Sequence, residues 1–282
     1  MLVGAGLSQS AQADVVADAR RLEELGFDLL SITDHLTGRR PTLETWTQLT
    51  WVAAKTERIG IATNVLGLPY RSPAVLAKMA ESLDRLSGGR LILGLGAGGN
   101  NDEFRALGLP VRTPREKIDG LEEALQVIHG LWMEGSFSFQ GNTYRVEEAQ
   151  LEPKPERRIP IWLGTYGARA LELTGRLADG WLPSMPFMPP KKHVERRDIV
   201  RKAAENAGRD TAEITFAYNI AVQIGEGLRA DERSVTGGPD EVTERLIELR
   251  DRLGLGAVNL WIRGHDQRER FAAEVLPAIR AA

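Results

Sequence analysis

The sequence of 282 residues contains no cysteine, which excludes disulfide bonds, thiolate metal sites and a cysteine nucleophile and is compatible with a cytoplasmic location. It also lacks a strong charge of either sign, since 36 Lys and Arg residues stand against 39 Asp and Glu residues, a net charge of -3. No nucleic-acid partner is therefore expected. No apolar run approaches the roughly 20 residues of a membrane helix, so no membrane partner is expected either. The 4 histidines are scattered without metal-ligand spacing, and no metal site is predicted.

Short apolar segments typical of β-strands alternate with amphipathic segments typical of helices along the whole chain. The predicted strands cover residues 2–7, 27–33, 59–65, 91–95, 159–163, 180–182, 214–222 and 257–262. The predicted helices cover residues 11–25, 43–56, 73–86, 115–133, 168–177, 191–207, 239–253 and 267–279. Such strand-helix units most simply close into a (β/α)8 TIM barrel, with an open doubly wound sheet as the alternative. We expect a single domain over residues 1–282.

A second alternating pattern interrupts this order between the fourth helix and the fifth strand. Aromatic and β-branched residues flank the turn pair Gly141-Asn142, which predicts a small β-hairpin insertion near residues 136–146. Because it occupies a helix-to-strand connection, we expect it on the face away from the site, as a plug or an interface patch.

The chemistry of such a barrel belongs at the C-terminal ends of its strands. The second predicted strand places Ser31, Thr33 and His35 on one side, and period-two spacing directs them into the barrel with His35 at the rim. An imidazole at this position can accept or donate a proton near neutral pH. Asp34 is the candidate to orient the ring. The alternative is that Asp34 caps the next turn and His35 merely packs.

A glycine-rich segment, residues 94–99, ends the predicted fourth strand. It satisfies the G-x-G-x-x-G pattern, but a dinucleotide fingerprint needs a helix that opens inside the glycines, and Gly108, Pro110 and Pro114 interrupt the segment that follows. We therefore expect a wall along which a ligand approaches the backbone, with close packing as the alternative. The candidate cofactor-binding residues on this wall are Gly96, Ala97 and Gly98.

The fifth predicted strand ends in a turn of small residues that leads directly into a helix. The free amides and the positive dipole end of such a helix can hold a phosphate without a lysine. Arg169 either adds charge to this site or is solvated. The candidate cofactor-binding residues are Gly164, Thr165, Tyr166, Gly167 and Ala168.

Several motifs along the chain together resemble the bacterial luciferase-like family of flavin and deazaflavin enzymes, which are (β/α)8 barrels. The motifs are Thr56-Glu57-Arg58-Ile59-Gly60, Leu86-Ser87-Gly88-Gly89-Arg90, Leu151-Glu152-Pro153-Lys154-Pro155 and Ala178-Asp179-Gly180-Trp181. The resemblance implies a non-proline cis peptide between Asn64 and Val65 that supports the cofactor ring. It also implies that the phosphate end of the cofactor lies between the two glycine-rich walls, and that the protein is a homodimer.

The triplet Thr33-Asp34-His35 resembles the Ser/Thr-Asp-His element of the branch that uses coenzyme F420, a deazaflavin. This implies an oxidoreductase that transfers a hydride between F420 and a small or medium organic substrate, an alcohol, carbonyl or enone, with His35 as proton donor or acceptor. The chain lacks the aromatic residue that several such enzymes carry soon after the histidine, which weakens any inference of a sugar-phosphate substrate. The nearest aromatic, Trp46, is predicted to pack in the core. Arg39 and Arg40 can meet the acidic tail of the coenzyme or form a solvated loop.

Two other functions stay open at this point. One is an FMN-dependent luciferase-like monooxygenase that uses oxygen and a flavin reductase partner, and the other is a barrel that binds a cofactor without turnover. The sequence does not identify the small-molecule substrate. The loops at residues 183–190 and 223–238 are expected over the mouth, as lids or as simple surface loops.

Overall fold

The computed structural model describes residues 1–228 and 232–282. The strands in these residues are β1 Leu2–Gly6, β2 Leu29–Ile32, β3 Gly60–Thr63, β4 Leu66–Gly67, β5 Leu91–Gly96, β6 Phe137–Gln140, β7 Arg145–Ala149, β8 Ile161–Leu163, β9 Gly180–Trp181, β10 Thr215–Ile224, β11 Ser234–Gly237 and β12 Ala257–Ile262. The helices in these residues are α1 Val15–Glu24, α2 Thr45–Ala53, α3 Pro73–Leu86, α4 Asn101–Ala106, α5 Pro114–Met133, α6 Ala168–Leu177, α7 Pro190–Asn206, α8 Pro239–Leu253, α9 His265–Arg270 and α10 Leu276–Ala281.

Eight parallel strands of the described chain form a closed barrel, in the order β1, β2, β3, β5, β8, β9, β10 and β12. The ring closes because β12 pairs with β1 and also with β10, which in turn pairs with β9. Helices lie between successive strands, as right-handed crossovers require. The predicted (β/α)8 fold is confirmed, and the open sheet is excluded.

The barrel differs from the sequence prediction in three short elements. The third strand is split, and its second part, β4, pairs with β5. The strand β11 pairs in parallel with the end of β10, within the connection that was expected as a loop. The helix α4 follows Asn100, whose side chain accepts hydrogen bonds from the amides of Asp102 and Glu103. The elements β11 and α4 are too short to show a hydrophobic period, which is why the sequence pattern missed them.

The inside of the barrel has two layers, an apolar layer toward the N-terminal ends of the strands and a polar layer toward their C-terminal ends. The apolar layer contains Leu29, Ala62, Ile92, Trp162, Leu182, Ala217 and Ala257, with Val65 packed against it. The polar layer contains buried Ser31, Asn64, Ser184, Asn219 and Asn259. Leu30 and Ile32 instead belong to the core between the barrel and its helices, which confirms the period-two interpretation of β2. The site therefore lies above a packed floor.

The predicted hairpin is present as the antiparallel pair β6 and β7, apart from the barrel sheet. Its turn is held by Glu123 of α5, whose carboxylate accepts hydrogen bonds from the amides of Asn142, Thr143 and Tyr144 at 2.8 to 3.0 Å. The ring of Phe137 packs where Gly130 leaves room on the same helix. The hairpin is thus held against α5. Among the described residues, no helix has the length and apolar character needed to cross a bilayer.

Candidate active site

The rim of the barrel at the end of β2 carries His35, as predicted. Its side chain is 65% exposed, and Nδ1 lies 3.1 Å from Oε2 of Glu103, a buried residue of α4. Sequence reasoning missed Glu103, which is separated from His35 by 68 residues. The only local signal was an N-cap asparagine directly after the glycine-rich end of β5.

The carboxylate of Glu103 is the centre of a small hydrogen-bonded cluster. It accepts from the amide of Thr37 at 3.1 Å and from the hydroxyl of Tyr70 at 2.9 Å, in addition to its contact with His35. Burial raises the pKa of Glu103, but the hydrogen bonds from Thr37, His35 and Tyr70 outweigh it and hold the pKa below its usual value. Burial and the neighbouring carboxylate raise the pKa of Tyr70, which keeps its hydroxyl protonated. The cluster therefore presents an ionised carboxylate to the imidazole.

Asp34 does not have the role that was expected for it. Its buried carboxylate accepts two hydrogen bonds from Arg71, at 2.7 and 3.2 Å, and one from the amide of Gly67 at 2.9 Å. Arg71 also pairs with Glu44. A guanidinium that binds both oxygens outcompetes an imidazole for the same carboxylate. Asp34 thus joins β2 to β4, and Glu103 is the carboxylate beside His35.

The peptide between Asn64 and Val65 is cis, at the break between β3 and β4. Val65 points toward the glycine-rich ends of β5 and β8, the β5 wall (residues 94–99) and the β8 wall (residues 164–168). A Cβ added at Gly96 would lie 2.8 Å from its Cγ2, and one at Gly164 would lie 3.1 Å from it. The feature that the family resemblance implied at this position is therefore present. It places a backbone bulge and an aliphatic side chain at the barrel mouth.

Asn64 is fixed by a chain of buried amides that crosses the barrel. It exchanges two hydrogen bonds with Asn219, at 2.7 and 3.1 Å. Asn259 donates to Asn219 at 2.9 Å and accepts from Ser31 at 2.7 Å, and Asn219 also donates to Ser184 at 3.2 Å. Asn64 was predicted as a cofactor-binding residue from the family resemblance, but Asn219 and Asn259 were not singled out, since isolated amides on strands give no local pattern. The chain connects the bulge with the strands on the opposite side.

The glycines of the β5 wall divide into packed and open positions. A side chain at Gly94 would collide with the carbonyl of Thr63, and one at Gly98 would lie 2.6 Å from Phe104, so both are required by packing. At Gly99, by contrast, an added Cβ meets nothing within 4 Å. Close packing, the alternative named for this wall, therefore explains Gly94, Gly96 and Gly98, and the open backbone begins at Gly99.

The residues of the β8 wall also divide into packed positions and positions open to the barrel mouth. The Thr165 side chain is buried and contacts the Thr174 hydroxyl at 2.8 Å, so it faces α6 and not the mouth. The Tyr166 hydroxyl accepts from the amide of Ser184 at 3.1 Å. Gly167 borders open space, and no side chain in the described residues caps the start of α6 at Ala168. The amides at this helix start are open to a ligand.

Other residues considered from the sequence have ordinary contacts. Arg169 pairs with Asp119 at 2.6 Å, which favours the solvated alternative. Trp46 is buried in the core, as predicted. In the loop at residues 183–190, Met185 and Met188 are buried and Phe187 is exposed, so most of this loop is packed down. Residues 229–231 of the loop 223–238 lie outside the described residues.

The closed parallel barrel carries the contact between His35 and Glu103 at the C-terminal ends of its strands, where the sites of (β/α)8 enzymes lie. The model of the luciferase-like monooxygenase family matches residues 3–230, and the chain belongs to this family, in its F420-dependent branch.

Three relatives illustrate the similarity. An F420-dependent glucose-6-phosphate dehydrogenase from Kineococcus radiotolerans is 30% identical over 95% of this chain and 85% of its own. A 5,10-methylenetetrahydromethanopterin reductase from Methanolobus tindarius is 30% identical over 80% of this chain and 69% of its own. The solved structure of an F420-dependent secondary alcohol dehydrogenase in complex with an F420-acetone adduct aligns with a TM-score of 0.88 at 18% identity, covering 99% of each chain.

Proposed function

We propose that this protein transfers a hydride between F420 and a small organic substrate, an alcohol, carbonyl or enone, and that His35 donates or accepts the accompanying proton. The predicted cofactor and the predicted class, an F420-dependent oxidoreductase, are confirmed by the relatives. The substrate and the role of His35 are the proposed part. The homodimer and the cytoplasmic location stay predictions.

The mouth of the barrel fits a cofactor with a flat ring and an anionic tail. The Val65 side chain, at the break between β3 and β4, offers an apolar surface for a ring, and the open backbone at Gly99 and Gly167 lets an extended group approach. The uncapped start of α6 supplies amides and a positive dipole end for phosphate. F420, when bound, supplies a ring carbon that accepts or donates the hydride.

The proton is assigned to the pair formed by His35 and Glu103. The contact at 3.1 Å between Nδ1 and Oε2 is the observation that carries the proposal. The carboxylate of Glu103 accepts the hydrogen of Nδ1 and so fixes the orientation and tautomer of the ring. Nε2 of the same ring is then free to take the proton of a substrate hydroxyl, or to return one to a carbonyl oxygen.

Competitive titration tests the cofactor directly. F420 fluorescence is followed as protein is added, with and without FMN. We expect micromolar binding of F420 that FMN does not reverse. Binding of FMN alone, followed by oxygen uptake with a flavin reductase, would overturn the proposal in favour of the monooxygenase.

Variants test the proton transfer, with secondary alcohols and glucose 6-phosphate as substrates and F420 reduction as the signal. We expect His35→Ala and Glu103→Gln to lower kcat by about 100-fold or more, the usual contribution of a positioned acid or base, with little change in the F420 Kd. Asp102→Asn is the matched control, since its side chain is 90% exposed on the same helix. If His35→Ala retained every activity and affinity, the barrel would be a non-catalytic binding protein.

A further inference from the structure

A large cavity opens at the barrel mouth on the side away from the β5 and β8 walls. Its volume is about 990 Å³, and its walls come from the ends of β1, β2, β10 and β12 together with α9 and β11. Small-molecule sites usually have volumes of about 300 to 1,000 Å³, so the cavity is large enough for a whole substrate. It contains none of the residues assigned above to the cofactor.

The charged side chains that line the cavity are all positive. The described residues that line it include Arg40, Arg263 and Arg268 and no Asp or Glu. No carboxylate of the described chain forms an ion pair with Arg40 or Arg263, although the protein as a whole is slightly acidic. Within the described residues, the two arginine charges at the opening therefore have no ion-pair partner, and they favour a negatively charged ligand.

The third arginine, Arg268, is largely buried, whereas the other two are exposed. Arg268 is 12% exposed, donates to the carbonyl of Gly6 at 2.9 Å and lies 3.9 Å from Asp18. Its Nε is buried and has no hydrogen-bond partner in the described part of the chain. Burial lowers the pKa of Arg268, and Asp18 opposes this effect. An anion in the cavity would add to the partial compensation that Asp18 provides.

The rest of the wall is suited to a carbon skeleton with hydroxyl groups. Trp261 packs where Gly6 leaves room, since a Cβ added at Gly6 would lie 3.2 Å from its indole ring. The cavity also reaches Ser31, whose hydroxyl donates to Asn259 in the amide chain that fixes Asn64. The cavity thus extends from the arginines at the surface to the level of the cis bulge.

We propose that this cavity is the substrate site, and that the substrate is an organic anion, a carboxylate or a phosphate ester, whose negative group binds Arg40 and Arg263. This inference rests on the proposed function and names its substrate class. The acidic tail of F420 is the competing source of negative charge. The geometry favours the substrate, because the open amides at Gly99 and Gly167 lie on the opposite walls.

The test compares Arg263→Gln and Arg40→Gln with Arg39→Gln, a neighbouring exposed arginine that does not line the cavity. Calorimetric titration with inorganic phosphate and with acetate, at constant ionic strength, measures anion binding. Fluorescence titration measures the Kd of F420 and of its deazaflavin ring lacking the phosphate and tail. Thermal melting checks that each variant is folded.

We expect saturable phosphate or acetate binding to the wild type. Each cavity variant should weaken it at least tenfold, the effect of one lost charge-assisted hydrogen bond of about 1.4 kcal/mol, and Arg39→Gln should not. The Kd of F420 should change less than twofold. The absence of saturable anion binding, or an equal effect of Arg39→Gln, would overturn the inference.

Two further outcomes separate the inference from the proposed function. If the cavity variants weakened F420 but not its tail-less ring, the arginines would bind the coenzyme, and the substrate assignment would be wrong. If the wild type bound anions in the cavity but not F420, the anion site would stand while the proposed function failed.

Discussion

His193 makes the stability of this protein sensitive to acid. It lies on α7, is fully buried, and packs between Trp181 and Tyr218 with ring centroids 4.6 and 4.9 Å away. Neither ring nitrogen has a hydrogen-bond partner in the described chain. Burial, assisted by the positive charge of Arg197, lowers the pKa of His193 from 6.5 to about 3. The folded protein therefore keeps this imidazole neutral under conditions that protonate it in the unfolded chain.

The sign and size of the effect follow from proton linkage. Below pH 6.5 the unfolded chain binds a proton at His193 that the folded chain does not bind until about pH 3, so stability falls as the pH is lowered through this window. With 1.36 kcal/mol per pKa unit, the loss from this one residue between pH 7 and pH 5 is about 2 kcal/mol. The substitution His193→Phe keeps an aromatic ring and removes the titration.

Urea unfolding at pH 7 and at pH 5, followed by circular dichroism, measures this difference. We expect the wild type to lose about 2 kcal/mol more than His193→Phe between the two pH values. His265→Gln is the control, because that histidine is 69% exposed, and it should behave as the wild type. Equal losses in the wild type and His193→Phe would refute the reasoning.

Two further predictions concern the barrel interior and the β5 wall. Asn219→Leu should lower the free energy of unfolding by about 3 kcal/mol or more, because it leaves the buried amides of Asn64 and Asn259 without their acceptor. A variant that is as stable in urea as the wild type would contradict this. Gly94→Ala should lower the free energy of unfolding by at least about 2 kcal/mol, because the added methyl group collides with the carbonyl of Thr63. Gly99→Ala should leave the melting temperature unchanged and weaken F420 binding. Equal effects of the two variants on the melting temperature would show that the glycines do not divide into packed and open positions.

The fold was predictable because each of its strands and helices is encoded by a hydrophobic pattern within a short stretch of sequence. Each barrel strand is a short apolar run followed by a helix of regular period, and eight such units have few ways to close. The break of the third strand was harder to locate, because further apolar residues, Val65 and Leu66, follow Asn64 and extend the apparent strand. Only the family resemblance located the cis peptide between Asn64 and Val65.

The site was predictable only in part, because its key contacts join distant residues. His35 could be placed at the rim by counting along one strand. Its partner Glu103 is 68 residues away on a helix of 6 residues, which is too short for a period to reveal. The nearer Asp34 was the obvious candidate, but Arg71, 37 residues further on, binds its carboxylate. Which of two side chains binds a given carboxylate depends on their positions in the folded structure, so it could not be predicted from the sequence.

The amide layer would hold the two proposed ligands, the cofactor ring and the substrate, in a fixed relation. Buried amides cost free energy unless they are paired, and their hydrogen bonds have directions that apolar contacts lack. Asn64 belongs to the bulge, while Asn219 and Asn259 stand on β10 and β12, the strands whose ends form the cavity. In the proposed arrangement, a ring on the bulge and a substrate on β10 and β12 would therefore be positioned by the same hydrogen-bonded layer. Hydride transfer needs two reacting carbons at a defined separation, and a layer of strand residues holds that separation more rigidly than mobile loops would.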